Sequence, residues 1–171
     1  MNVTPVKTNS TSFGRFNPVR VDSRLLRGAS VTSPLKLMEM KKNGVTQIID
    51  LRNSSRVESP IEKFLCKILG IKYLNYRFSH RQNTIPNGDF FEKINNSILS
   101  NEGNTYIHCQ YGRHRTGLAV AVYEKSHTSK TVPEIRQNMI ENGYTEIITE
   151  GKSKKEQKYI NLYDQMSDRY F

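Results

Sequence analysis

Short segments rich in Val and Ile alternate along this chain with segments of helical periodicity, and this alternation restricts the possible folds. An extended segment is predicted from Arg20 to Gly28, and buried strands are predicted over 45–51, 71–76 and 105–108. Helices are predicted to begin at Ser33-Pro34 and Ser59-Pro60. The apolar face of the second helix is predicted to consist of Ile61, Phe64, Leu65, Ile68 and Leu69. Strands separated by helices cross over with a right hand and pair in parallel. We therefore expect an α/β fold: a single domain with a central, mostly parallel sheet of four or five strands flanked by helices.

The domain boundaries follow from where this periodic pattern begins. Residues 1–17 are rich in Ser, Thr, Asn and Pro and lack periodicity, so we expect a mobile arm there and one folded domain over 18–171. No apolar run approaches the roughly 20 residues of a membrane helix, and the first residues lack the apolar region of a secretory signal. We expect a soluble, cytoplasmic protein with no membrane span.

The charge and the cysteines narrow the classes of partner. A net charge of +10 attracts polyanions without selecting one of them. The chain lacks the aromatic-rich platform of single-strand binders, so nucleic acid is not an expected partner. Its two cysteines, Cys66 and Cys109, do not form a disulfide scaffold or a CxxC metal pair, and they favour a reducing compartment.

The residues that carry chemistry lie in the segment 108–117, which reads HCQYGRHRTG. Cys109 follows a predicted strand and precedes a predicted helix. A short loop at a helix N-terminus directs backbone N–H groups at one point, where they bind a phosphate dianion and stabilise a thiolate. Gly112 can adopt the positive φ of such a loop. Arg115 offers a planar fork for two phosphate oxygens, and the Thr116 hydroxyl can donate to the cysteine sulfur.

This segment resembles the phosphate-binding loop (P-loop) of cysteine-dependent phosphatases of the protein tyrosine phosphatase superfamily, in its dual-specificity form. The residues Gly-Arg-His-Arg-Thr-Gly are particularly similar to atypical enzymes of plants and fungi, some of which act on inositol pyrophosphates, and small bacterial enzymes are also similar. The segments 26–28, 44–52 and 70–73 resemble the family's early "YRG" segment and its first two core strands. The likeness extends over roughly residues 20–145.

The resemblance implies a hydrolase in which Cys109 attacks phosphorus and forms a phosphocysteine that water then hydrolyses. It implies neither a metal nor an organic cofactor. His108, before the nucleophile, is expected to hydrogen-bond the loop and help to hold the thiolate. Phosphate binding is expected from the loop residues Gln110, Tyr111, Gly112, Arg113, His114 and Arg115.

The general acid is where this sequence departs from the family. Relatives place an aspartate on a loop about 25–35 residues before the cysteine, and this chain has none there. Asp89, which follows an Ile-Pro pair, is the first candidate, and its other interpretation is a helix N-cap. His80 lies where the family's aspartate is expected and is the alternative acid. It could instead contact phosphate or face solvent.

Several alternatives stay open at this stage. The substrate could be a phosphorylated protein, or a polyphosphorylated small molecule such as an inositol phosphate, inositol pyrophosphate or phosphoinositide, which Arg113 and His114 favour. A catalytically inactive phosphate-binding module is the alternative without chemistry. Cys66 could be a structural thiol or a redox partner of Cys109. Five arginines could either surround the site or serve the surface and structure: Arg27, Arg52, Arg56, Arg77 and Arg81.

Overall fold

The computed structural model describes residues 18–53, 58–78, 86–144 and 154–171. Within these ranges five strands form one sheet: β1 (Val19–Arg20), β2 (Leu25–Ala29), β3 (Val45–Asp50), β4 (Lys72–Asn75) and β5 (Asn104–Cys109). Six helices accompany them: α1 (Pro34–Lys42), α2 (Glu58–Leu69), α3 (Gly88–Leu99), α4 (His114–His127), α5 (Val132–Glu141) and α6 (Lys154–Tyr170). The predicted arm over 1–17, His80, Arg56 and Arg81 lie outside the described residues.

The sheet has the order β1-β2-β5-β3-β4, and all neighbours pair in parallel except β1, which is antiparallel to β2 at one edge. The prediction of a mostly parallel sheet of four or five strands is therefore confirmed. Strand β5 occupies the centre, between β2 and β3. Its last residue, Cys109, lies at the carboxyl ends of the parallel strands, where such sheets bind ligands.

Alternation along β5 decides which side chains meet at the site. Successive residues of a strand point to opposite faces of the sheet. Ile107 and Cys109 join the apolar cluster that β5 shares with α3, α4, α5 and α6. Tyr106 joins the cluster under α1 and α2. His108 and Cys109 therefore face opposite sides of the same sheet.

The buried face of α2 differs from the one that its apolar residues predict. The prediction placed Ile61, Phe64, Leu65, Ile68 and Leu69 inward. In the structure Ile61, Phe64 and Ile68 are 45% to 64% exposed, and the fully buried residues of the helix include Glu62 and Cys66. The orientation is fixed by ion pairs of Glu62 with Arg52 and His108, which a rotation of the helix would break.

The first two strands of the sheet also differ from the sequence-based prediction. One extended segment was expected from Arg20 to Gly28, but a tight turn divides it into β1 and β2. The Asp22 carboxylate stabilises this turn by accepting hydrogen bonds from the N–H groups of Arg24 and Leu25, each at 2.8 Å. Across the described parts of the chain, none of the helices has the length and apolar character needed to cross a bilayer.

Candidate active site

The loop between β5 and α4 lies directly on strand β2. Gly112 has a φ of +70°, so the expected positive φ is confirmed. A Cβ added at Gly112 would lie 2.3 Å from the carbonyl carbon and oxygen of Gly28. Only glycine meets both conditions, because other residues disfavour this φ and a side chain would collide with backbone atoms. The loop is therefore pressed against the backbone of β2.

Arg27 and Ser30 donate hydrogen bonds to carbonyl groups of the loop. Arg27, in β2, donates from Nη2 to the Gly112 carbonyl at 2.8 Å and to the Arg113 carbonyl at 3.5 Å. Ser30 donates to the Gln110 carbonyl from both its backbone N–H and its hydroxyl, each at 3.5 Å. These carbonyls are thus directed toward β2, away from the sulfur. The loop can then present N–H groups on its other side.

The Cys109 sulfur is buried, with the residue 4% exposed, in an environment that favours the thiolate. Burial alone would raise the pKa of Cys109. A hydrogen bond from the Thr116 side chain, the charge of Arg115, and the backbone N–H groups of Thr116 and Tyr111 outweigh burial and lower the pKa. Among the described residues the buried Thr116 hydroxyl makes no hydrogen bond of ordinary geometry, so its proton is available to sulfur.

Arg115 lies in the first turn of α4 and reaches the carboxyl ends of β3 and β4. Its Nη1 donates to the Leu51 carbonyl at 3.1 Å and to the Phe78 carbonyl at 3.4 Å. These contacts fix the guanidinium at the edge of the sheet where Cys109 ends β5. The positive charge is close enough to lower the pKa of the cysteine.

A buried network of four charged side chains lies on the opposite face of the sheet, behind the cysteine. His108 Nε2 is 3.1 Å from Glu62 Oε1, and Nδ1 is 3.9 Å from Asp50 Oδ1. Arg52 binds Asp50 through Nε at 2.9 Å and Nη2 at 2.8 Å, and its Nη2 also contacts Glu62. Of the two interpretations of Arg52, the structure shows pairing with Asp50.

The charges in this network balance when His108 is protonated. Burial alone would lower the pKa of His108, but the carboxylates of Glu62 and Asp50 raise it overall. Two carboxylates then face two cations. Asp50, Glu62 and His108 also have ligand atoms within 4.8 Å of one another, the donor set of a metal site. The guanidinium of Arg52 already binds both carboxylates, so these residues form an ion-pair network.

The side chains of Arg113 and His114 pack against residues that follow α5. A Cβ added at Gly143, whose φ is +77°, would lie 3.2 Å from Cδ and Nε of Arg113. The ring of His114 meets that of Tyr144 edge to face, with centroids 5.5 Å apart. Tyr111 is 54% exposed at the surface of the loop. The stem of Arg113 is thus supported by the α5 turn while the residue as a whole stays exposed.

Of the two candidates for the general acid, the structure describes Asp89 but not His80. Asp89 is exposed in the first turn of α3, and the N-cap of that helix is Asn87, so the N-cap interpretation of Asp89 is wrong. Its charge acts on Tyr170, at the end of α6, whose pKa is raised chiefly by burial and further by Asp89. His80 lies in the segment 79–85, outside the described residues.

The second cysteine has the character of an inert thiol. Cys66 is fully buried in the cluster under α1 and α2, whereas Cys109 belongs to the cluster on the other face of the sheet. Burial, with the nearby charges of Glu62 and Asp50, raises the pKa of Cys66 to about 12. This environment favours the structural interpretation over the redox one.

Sequence reasoning missed Glu62 and gave Arg27 no specific role. Glu62 shares one helix face with Ser59 and Cys66, and a carboxylate on a buried face requires a buried cation. That signal was present in the sequence, but the apolar stripe on the other side of α2 obscured it. The contact between Arg27 and Gly112 joins residues 85 positions apart, and local spacing gives no sign of it.

The parallel sheet and the cysteine loop at its carboxyl edge define a class, the cysteine-dependent phosphatases of the protein tyrosine phosphatase superfamily. Within it, the chain belongs to the PTP-NADK family, described as a DSP-PTPase phosphatase fused to NAD+ kinase, whose family model matches residues 1–162. The chain is thus a phosphoric monoester hydrolase of the dual-specificity type. A search of curated proteins gave no significant match.

Solved structures share the fold at low sequence identity. TpbA of P. aeruginosa superposes with a TM-score of 0.68 at 13% identity, over 92% of this chain and 88% of that one. A complex of TpbA with pTyr gives a TM-score of 0.59 at 14% identity, over 97% and 88%. The catalytic core of the PP-IP phosphatase SIW14 of S. cerevisiae gives 0.63 at 19% identity, over 88% of each chain.

Proposed function

We propose that the chain hydrolyses phosphomonoesters through a covalent intermediate on Cys109. The observation that carries the proposal is the buried sulfur, whose pKa is lowered although burial alone would raise it. In the first step the thiolate attacks phosphorus, an S–P bond forms, and the bond to the leaving oxygen breaks with its electron pair remaining on that oxygen. In the second step water attacks phosphorus, the S–P bond breaks, and the electron pair returns to sulfur as inorganic phosphate forms.

Arg115 and Thr116 serve these two steps in different ways. A guanidinium has five N–H donors, and the Arg115 contacts to the carbonyls of Leu51 and Phe78 both use Nη1. The remaining donors can bind two oxygens of the transferred phosphoryl group and its developing charge. Thr116 stabilises the sulfur when it leaves in the second step. The backbone of residues 110–114 supplies further donors to the phosphate.

The leaving oxygen requires a proton when it belongs to a poor leaving group. Asp89 is the first candidate because it is exposed in the first turn of α3, directly after the segment where relatives place their acid. His80 is the alternative, and it would act as an imidazolium near neutral pH. A positioned acid contributes roughly 10²–10⁴ in rate. Separate substitution of Asp89 and His80 by asparagine distinguishes the two candidates.

The leading substrate class is a phosphorylated protein, as the complex of the similar TpbA with pTyr suggests by analogy. The second candidate is a polyphosphorylated small molecule, such as an inositol phosphate, inositol pyrophosphate or phosphoinositide. It is favoured by the exposed Arg113 beside the partly exposed His114 and by the net charge of +10. The similarity to a PP-IP phosphatase points the same way.

Organisation and location complete the proposal. Residues 18–171 would form the phosphatase domain and act in the cytoplasm, which the two free thiols, Cys66 and Cys109, support. The proposed reaction uses only side chains and backbone groups of this chain, without a metal, an organic cofactor or a nucleic-acid partner.

A substrate panel tests the proposal. Wild type, Cys109→Ser and the matched control Cys66→Ser are assayed on p-nitrophenyl phosphate, a phosphotyrosine peptide, an inositol pyrophosphate and a phosphoinositide. We expect turnover by wild type and by Cys66→Ser, and none by Cys109→Ser, which should still bind phosphate through the loop. Wild type that binds phosphate but hydrolyses none of the four would support the inactive binding module. Turnover retained in Cys109→Ser would place the nucleophile elsewhere.

A further inference from the structure

Arg27 is a cation buried in a strand of the sheet, where charged side chains are rare. It lies in β2, beside β5 in the sheet, and only 3% of its surface is exposed. Desolvation by burial lowers its pKa to about 10, so it still carries its charge near neutral pH. A charge taken out of water costs free energy unless it is paired and hydrogen-bonded. The groups that accept hydrogen bonds from Arg27 and balance its charge therefore indicate its role.

Its hydrogen bonds go to the phosphate-binding loop. Arg27 Nη2 donates to the carbonyls of Gly112 and Arg113 at 2.8 Å and 3.5 Å. A peptide group has its N–H and its carbonyl on opposite sides, so fixing a carbonyl toward β2 directs the following N–H away from β2. Arg27 thereby holds the loop in the conformation in which it can present donors to an anion.

Its charge, by contrast, has no partner of its own in a salt bridge. Within the described residues no carboxylate lies within ion-pair distance of Arg27. Against the effect of burial, the charge of Glu124 in α4 raises the pKa of Arg27 most, followed by the charges of Cys109 and Tyr106. Glu124 is itself ion-paired with Lys130. In the register of β2 and β5, Arg27 pairs with Ile107 and Ala29 pairs with Cys109, so Arg27 and Cys109 lie on the same face of the sheet.

One glycine leaves room for this arrangement, and a second lies beside the guanidinium. A Cβ at Gly112 would collide with the Gly28 carbonyl. A Cβ at Gly117, in α4, would lie 3.7 Å from Arg27 Nη2, an ordinary contact distance, and would collide instead with the Tyr144 ring at 2.9 Å. The loop and the first turns of α4 therefore approach β2 closely, with the guanidinium at their junction. Nothing larger than glycine fits at residue 112 without moving the loop off Arg27.

We propose that Arg27 is a positioning residue of the active site. It holds the loop carbonyls from the side of β2, and it supplies a second positive charge near the thiolate and the bound phosphate. It acts through the loop and does not touch substrate. This inference rests on the proposed function of Cys109. It adds to Arg115, at the start of α4, a second cation that reaches the site from strand β2.

The test compares Arg27→Met and Arg27→Lys with wild type and with Arg24→Met, a control at an exposed arginine just before the same strand. Each variant is measured for kcat and KM on p-nitrophenyl phosphate, for vanadate affinity, and for the rate of iodoacetamide alkylation of Cys109 at neutral pH. Urea unfolding of the same samples reports the folded fraction. Alkylation is included because a purely structural arginine would not affect the thiolate population of the folded protein.

We expect Arg27→Met to lose about 10²-fold in kcat, the scale of a displacement of about 1 Å in a reacting group. Vanadate affinity and alkylation should fall with it, and Arg24→Met should match wild type. Arg27→Lys keeps the charge without the fork, so alkylation should recover more than kcat. Should Arg27→Met not fold, Arg27→Lys carries the test, and normal kcat and alkylation in it would overturn the proposal.

Normal kcat and alkylation in folded Arg27→Met would overturn it equally, since the residue would then only stabilise the fold. Failure of the underlying function is distinguishable from this result. It would appear as turnover in Cys109→Ser or as no turnover in wild type, whatever the Arg27 variants do.

Discussion

Substitution of Gly112 by alanine tests whether the contact between the loop and β2 shapes the active site. The added Cβ would lie 2.3 Å from the carbonyl carbon and oxygen of Gly28, whereas ordinary contacts begin near 3.4 Å. Both of these atoms belong to the backbone, so no rotamer change can relieve the overlap. The loop must therefore move by about 1 Å, a displacement that can cost about 10²-fold in rate.

The free energy of unfolding should fall as well. A residue other than glycine at a φ of +70° costs roughly 1–2 kcal/mol, and overpacking adds typically about 1–3 kcal/mol. We therefore expect Gly112→Ala to lose about 2–5 kcal/mol of stability and at least about 10²-fold in kcat.

The assay combines p-nitrophenyl phosphate kinetics, vanadate affinity and urea unfolding, with Gly88→Ala as the matched control. Gly88 lies at the start of α3, and a Cβ there meets nothing within 4 Å. Alanine should therefore leave kcat unchanged and stabilise the helix slightly, by up to about 1 kcal/mol. If Gly112→Ala keeps kcat within about threefold of wild type and loses less than about 0.5 kcal/mol, the tight approach of loop and strand is not what shapes the site.

Four further outcomes follow from the ion pairs and the proposed roles. Glu62→Gln leaves a buried network without one carboxylate and should destabilise the fold by about 3–5 kcal/mol in urea unfolding. Because the folded-state pKa of His108 is raised above 6.5, its contribution to stability is complete below that pH and is lost as pH rises through the folded value. Unfolding of wild type should show this dependence, and Glu62→Gln, in which only Asp50 still raises this pKa, should show a weaker one. Arg115→Lys should lower kcat by about 10²–10³ with a smaller change in KM, and a kcat within about threefold of wild type would exclude Arg115 as a transition-state ligand. Asp89→Asn and His80→Asn, compared on phenyl phosphates of rising leaving-group pKa, should show a progressive loss only for the true acid; we expect it for Asp89, and a steep loss confined to His80→Asn would reverse the assignment.

The sheet and the loop could be predicted from the sequence because their signals are local. Val- and Ile-rich segments separated by helices define a parallel sheet, and the spacing of Cys109, Gly112 and Arg115 within one short segment defines an anion-binding loop. The positive φ of Gly112 follows from the same local reasoning, and the structure confirms it.

What could not be predicted depends on contacts between residues far apart in the chain. The apolar stripe of α2 favours one orientation of that helix, but the ion pairs of Glu62 with Arg52 and His108 stabilise a different orientation. A buried ion pair outweighs a few exposed side chains because an unpaired buried charge costs several kcal/mol. Arg27 is equally hidden from local patterns, since the loop that it supports lies 85 residues further along the chain.

The central claim is that the phosphoryl group is transferred to Cys109 before water hydrolyses it. Trapping this phosphocysteine tests the claim most directly. Wild type turning over p-nitrophenyl phosphate is quenched rapidly with acid, digested, and analysed by mass spectrometry, with Cys66 as the internal control thiol. The account predicts phosphate on the Cys109 peptide during turnover, none on the Cys66 peptide, and none on either in Cys109→Ser. Steady turnover without phosphate on Cys109 at any quench time, together with activity in Cys109→Ser, would contradict it.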